Sequence, residues 1–190
     1  MSLKAFDTAD VTTGHAHAIL AAGYQAVGIY LRADRAPAAM VEGLRSVGIK
    51  IFSIWEKGYP TSAAYFTAEQ GKADGEAAAE YALLLKQPQG TTISPCVDYD
   101  SNPDDVKAYL IAFHDAIKIH GYHSLPYGNG ATLQWAIDAG YAVGGFLSQS
   151  TGFQGYTEFK PKAKIVQGST ETVLGFDVDL DTVIDSTICW

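Results

Sequence analysis

Residues 96–105 read CVDYDSNPDD, and residues 176–181 read FDVDLD. Both set carboxylates two positions apart where the pattern marks the end of a β-strand: Asp98 and Asp100 in the first, Asp177, Asp179 and Asp181 in the second. Successive strand residues face opposite sides, so Asp98 and Asp100 are expected to point the same way, their Cα atoms about 6–7 Å apart, with Tyr99 turned outward. Two facing carboxylates can divide acid and base work, because proximity raises one pKa while the other stays ionised. Cleavage of a glycosidic bond needs that division, one group protonating the leaving oxygen.

Other chemistries fit these residues less well. Both acidic runs copy the first three ligand positions of an EF-hand loop. Position six would then be Pro103 or Thr182 in place of glycine, and position twelve Tyr109 or Ile188 in place of Glu. Hard oxygen ligands would still suit Mg²⁺ or Mn²⁺. The five histidines, His15, His17, His114, His120 and His123, show no HExxH spacing, and no metal ligand set and no cofactor are expected. No GxSxG elbow or GxxxxGK[ST] loop occurs, which removes the commonest hydrolase and nucleotide-binding readings. Of the two cysteines, Cys96 falls in an apolar strand and is expected to be a buried free thiol. The tail of the first run, SNPDD, reads as a helix start: Asn102 as N-cap, Pro103 first in the helix, Asp104 and Asp105 favouring its positive end.

The elements that must carry these residues alternate along the chain. Strands are expected at 3–7, 26–31, 49–56, 91–100, 122–129, 142–150, 163–168 and 172–181. Helices are expected at 12–23, 36–48, 67–86, 103–120 and 131–140, several ended by glycine. Strand–helix alternation implies parallel βαβ crossovers. Eight strands imply a compact (β/α)8 TIM-like barrel, with reduced helices after the last strands, where the connections are short. One domain is expected over residues 1–190.

In such a barrel the polar residues converge. Asp7 ends strand one, Glu56 strand three, Asp98 and Asp100 strand four, and Asp177, Asp179 and Asp181 strand eight; Tyr30, Tyr127, Gln149 and Gln167 end the others. All would lie at the C-terminal face, where barrel active sites form. One acid at a strand end can be a helix cap; acids at four strand ends concentrate like charge in one mouth, which points to a site. Aromatic residues near this mouth, Trp55, Tyr59, Tyr65 and Tyr156 among them, serve either core packing or stacking against sugar rings.

Bulk properties narrow the field. The 190 residues carry a formal charge of −8, which argues against nucleic acid and anionic membranes as partners. No apolar run is long enough to span a membrane. The N-terminus shows no basic segment followed by a long apolar one, so no secretory signal is expected.

Taken in order, FDTA, GIKIFSIWE, YFTAEQGKADGEAAAEYA, VDYD, GYHSLPYGNG, LSQSTGFQGY, IVQG and GFDVDLD resemble the glycoside-hydrolase-like domain of phage lysins and bacterial cell-wall proteins. That domain is related to the family 25 glycoside hydrolases, the Chalaropsis-type lysozymes. The resemblance implies a muramidase-like barrel, acting as a monomer on peptidoglycan glycan strands at the β-1,4 bond between N-acetylmuramic acid and N-acetylglucosamine. It implies catalytic roles for Asp7, Asp98 and Asp179, which match the acids of strands one, four and eight. Tyr30, Trp55, Tyr65, Tyr127, Gln149, Gln167 and Asp177 would line the substrate cleft. Asp100 departs from the pattern, standing where the lysozymes carry a proton-donating Glu. Its side chain is one methylene shorter, and a misplacement of about 1 Å can cost about 10²-fold. Either the backbone compensates, or Glu56 donates the proton, or the domain binds glycan without cleaving it. The missing signal suits a phage endolysin, made in the cytoplasm and acting on the wall after release.

Overall fold

The computed structural model describes residues 1–58 and 60–190; Tyr59 lies outside the described residues. Nine strands form one sheet: β1 (Leu3–Thr8), β2 (Ala26–Tyr30), β3 (Lys50–Trp55), β4 (Thr92–Pro95), β5 (His123–Ser124), β6 (Tyr127–Gly128), β7 (Phe146–Leu147), β8 (Ile165–Val173) and β9 (Phe176–Val183). Six α-helices accompany them among the described residues: α1 (Ala16–Ala21), α2 (Ala38–Ser46), α3 (Ala68–Leu84), α4 (Pro103–Ile119), α5 (Gly130–Asp138) and α6 (Tyr156–Phe159).

This is not the closed (β/α)8 barrel that the alternation implies. The sheet order is β5-β4-β3-β2-β1-β9-β8-β7-β6, a curled, open, mixed sheet. Two features depart from the expected barrel. Strands β8 and β9 are joined by Leu174 and Gly175 alone, both at positive φ. A two-residue loop with positive φ makes a hairpin, whereas a parallel crossover needs a dozen residues or more. Strand β9 is therefore antiparallel to both β8 and β1. The expected fifth strand is also broken at Leu125 and Pro126 into β5 and β6, since proline cannot donate to a ladder. The two halves of the sheet meet there through one isolated bridge, Cys96 to Tyr127, short of a continuous seam.

Burial alternates along the strands as one curled sheet requires. One face carries Ala5, Ala26, Phe52, Ile54, Leu125, Phe146, Ile165 and Val183, which pack together inside the curl. The other carries Phe6, Val27, Ile29, Ile51 and Ile93 against α1 to α4. Ile188 and Cys189 close one end of the interior, with the Thr92 hydroxyl donating to the Ile188 carbonyl at 3.0 Å. Both cysteines are free and buried. The opposite end, where β1, β2 and β3 finish, is left for the site.

Helices α3 and α4 pack closely because α3 presents glycines to its partner. A Cβ added to Gly71 would lie 2.3 Å from the Tyr109 carbonyl oxygen, and one on Gly75 would lie 2.7 Å from Ala116 Cβ. The same contact buries Asp74, which accepts from the hydroxyls of Tyr65 at 2.6 Å and Tyr109 at 2.9 Å. Gly71→Ala gains roughly 1 kcal/mol of helix propensity but forces backbone apart, which costs about 1–3 kcal/mol. A net loss of stability in urea unfolding is expected, with the same unfolding slope.

Candidate active site

The site begins with a register. Asp7 on β1 stands directly opposite Asp179 on β9, so the two side chains share the interior face. Across the other edge of β1, Asp7 pairs with Gly28 of β2. A Cβ at Gly28 would lie 2.6 Å from Asp7 Cβ and 2.4 Å from the Phe52 ring, so the glycine is what makes room for both. Asp179 reaches the mouth from near the start of an antiparallel strand, not from the end of a parallel one. The reversal sends Asp181 deeper, where it is buried and neither carboxyl oxygen has a hydrogen-bond partner.

Like charges set opposite each other are destabilising, and neighbouring donors offset the repulsion. The Gln167 amide nitrogen donates to Asp179 at 3.3 Å and to Asp7 at 3.5 Å, while its oxygen accepts from the Tyr127 hydroxyl at 2.8 Å. The Tyr30 hydroxyl donates to the other Asp7 oxygen at 3.0 Å. The Thr170 hydroxyl donates to Asp179.

These residues form one wall of a cavity of about 180 Å³. Glu56, just past β3, and Asp98, three residues past β4, complete its four carboxylates with Asp7 and Asp179; Tyr30, Tyr127, Gln149 and Gln167 supply the neutral polar lining. Ile54, Cys96 and Phe146 make the apolar part, which sequence patterning assigned only to the core. No lysine or arginine lines this cavity among the described residues.

The electrostatics follow from burial without cations. Burial pushes Asp7 up to about 7, the Asp179 charge adds to this, and the Tyr30 hydrogen bond opposes it. Glu56 is raised by burial, then by Asp98, with the Arg32 guanidinium opposing. Asp98 is raised by burial, partly offset by the Tyr127 hydroxyl that donates to it at 3.5 Å; its exposure to solvent at the rim limits the effect. Asp181 is held well above the carboxylate range by burial and then by Asp7. Burial also raises the Tyr30 and Tyr127 hydroxyls, so both remain donors. The arrangement thus gathers raised carboxyls in one cavity, Asp7 at about 7 and Glu56 and Asp98 shifted upward, and differing environments of this kind can separate acid from base.

Four residues named from the sequence lie elsewhere. Strand β4 ends at Pro95, so strand alternation does not extend to Asp98 and Asp100. Asp100 turns away and accepts from the Asn129 amide and the Gln154 backbone N–H, each at 2.8 Å. Trp55 is buried against the helix layer. Tyr65 is tied to Asp74 and packs on Phe66 and Tyr109. Asp177 is exposed on a shallow rim beside Asp7 and Asp179. Two residues not singled out from the sequence, Arg32 and Arg35, follow β2 and flank the mouth; their spacing just past a strand end was the available signal. No cluster of three or more potential metal-ligating side chains occurs among the described residues.

The raised Asp7 pKa has a consequence for stability. Because the folded value of about 7 exceeds the ordinary 3.8, the folded state holds this proton more tightly than the unfolded chain. The associated stability is full below the ordinary value and is lost as pH rises to 7 and beyond. Asp7→Asn should therefore stabilise the protein at pH 8, on the order of 1–3 kcal/mol, and change little at pH 4. Urea unfolding at the two pH values measures the difference; equal effects at both would contradict the shift.

Comparison with known proteins places this geometry. Residues 17–185 match the Rv2525c-like, glycoside hydrolase-like domain. The chain is 32% identical over 127 residues to YbfG of Bacillus subtilis (strain 168), a match covering 60% of this chain and 17% of YbfG. The chain is thus far shorter than that relative. The Tat-secreted protein Rv2525c of Mycobacterium tuberculosis, solved with L-tartrate, superposes with a TM-score of 0.78 at 20% identity, covering 98% of this chain and 96% of that one. The modular autolysin LytC of Streptococcus pneumoniae, solved with a synthetic peptidoglycan ligand, superposes with a TM-score of 0.62 at 12% identity, covering 95% of this chain and 46% of LytC. At these identities the two structures establish a shared fold. With its family model matched over nearly the whole chain, the protein belongs to the Rv2525c-like glycoside hydrolase-like domain family.

Proposed function

We propose that this domain is a peptidoglycan glycosidase that cuts the β-1,4 bond between N-acetylmuramic acid and N-acetylglucosamine. The observation that carries the reading is Glu56: half-buried, its pKa raised, and set in one small cavity with Asp98, Asp7 and Asp179. The fold shared with LytC, an autolysin solved with a peptidoglycan ligand, supports this choice of glycan.

In this reading Glu56 is the general acid. Its proton leaves with the departing glycosidic oxygen as the bond to the anomeric carbon breaks. Asp98, solvent-accessible at the rim, serves as base toward the attacking water or orients the acetamido group. Water adds its hydroxyl to the anomeric carbon and gives its proton back to the carboxylate pair. The negative field of Asp7 and Asp179 favours the positive charge that develops on the sugar ring. Tyr30, Tyr127, Gln149 and Gln167 offer hydrogen bonds to sugar hydroxyls. The place of action is the cell wall.

A second reading, a glycan-binding module without catalysis, draws on Asp100. At the position of the lysozyme proton donor, this shorter acid is engaged by Asn129 and Gln154. The two readings separate on purified sacculi. Hydrolysis releases new reducing ends, whereas a binding module is pulled down with sacculi and releases none, even at high protein concentration.

Glu56→Gln and Asp98→Asn should each lower turnover by about 10² or more and leave the fold cooperative in thermal melts. Asp100→Asn should leave turnover near that of the parent chain. A collapse of activity in Asp100→Asn with full activity in Glu56→Gln would reverse the assignment of the donor.

A further inference from the structure

Beside the acidic cavity lies a second pocket of opposite character. It has a volume of about 430 Å³ and is lined, among the described residues, by Ala9, Tyr30, Arg32, Arg35, Glu56 and Gly58. Tyr30 and Glu56 belong to both pockets, so the two adjoin. The two guanidiniums share a single carboxylate. Asp34 lies 2.9 Å from Arg32 and 3.4 Å from Arg35, which leaves one net positive charge when Glu56, also in the lining, holds the proton its acid role requires.

Both side chains are braced. Arg35 donates to the Ala9 carbonyl at 3.0 Å, and Arg32 lies 3.5 Å from the Glu56 carbonyl. Both are also partly open to solvent, at 35% and 41%, so donors remain for a ligand. A chain with a formal charge of −8 thus sets its cationic pocket directly against the acid-lined one. Guanidinium forks match carboxylates in plane and spacing. One net charge suits a monoanion, and a dianionic phosphate would face Glu56 and the acids behind it.

We propose that this pocket is a carboxylate subsite, and that it makes the cleft selective for acidic over neutral β-1,4 glycans. The inference rests on the glycan-cleft reading above. The carboxylate comes either from the lactyl group of a muramic residue or from the peptide attached to it.

Titration calorimetry with three tetrasaccharides tests this, in the Asp98→Asn background to limit turnover: chitotetraose, a peptide-free GlcNAc–MurNAc tetrasaccharide, and its peptide-bearing form. At least one acidic glycan should bind about tenfold or more tighter than chitotetraose at low salt, and which one identifies the source of the carboxylate. The Arg32→Gln/Arg35→Gln pair should abolish the gap while chitotetraose affinity is retained. The gap should also shrink as salt rises, because both arginines are solvent-accessible; this holds even if the double variant folds poorly. Equal affinity for all three glycans, or a gap that survives the double variant or high salt, overturns the subsite and leaves the cleft reading standing. Failure of every glycan to bind or be cleaved removes both.

Discussion

Two aspartates held face to face across antiparallel strands are the constraint around which this molecule is built. Asp7 and Asp179 occupy one register position of β1 and β9, a placement that opposes folding unless donors lie close by. Gln167 reaches both, and Tyr127 fixes the orientation of Gln167 by donating to its oxygen. Gly28 clears the space behind Asp7. Glu56 and Asp98 complete the cavity at its rim, each raised chiefly by its own burial, with the Asp179 charge a smaller contribution.

The packed layers compensate for the strain at the mouth. Helices α1 to α4 cover the outer face of the sheet, and α3 fits tightly on α4 through Gly71 and Gly75. The interior is largely apolar at one end, where Ile188 and Cys189 pack with Phe52 and Phe146, and its carboxyls gather toward the other. That gradient confines the buried charge to one opening. It also explains why Asp181, two residues below Asp179 on the same face, is driven toward its protonated form: the low-dielectric interior disfavours the ion.

Cationic groups are kept out of the acidic cavity and placed next door. Arg32 touches the electrostatics of Glu56 by drawing its pKa down against burial and Asp98. The net direction for Glu56 is still upward, while Asp98 is exposed to water.

The sequence by itself determined the strand and helix alternation, the family, and the crowding of Asp7, Glu56, Asp98, Asp179, Tyr30, Tyr127, Gln149 and Gln167 toward one face. The alternation and the crowding are local matters, fixed by hydrophobic period and by where apolar runs stop; the family rests on the resemblance of its motifs taken in order. It could not place Asp100, because alternation applies only while the backbone stays extended, and β4 ends at Pro95. Trp55 packs in the helix-side cluster and Tyr65 bonds to Asp74, since an aromatic side chain near a strand end packs equally well toward helices. Only the tertiary structure decided that the sheet is open and mixed: Leu174 and Gly175, read inside one strand at 172–181, form the turn that reverses β9. That reversal sets which of three evenly spaced aspartates meets Asp7, because cross-strand register is a long-range pairing that residue spacing along one strand does not encode.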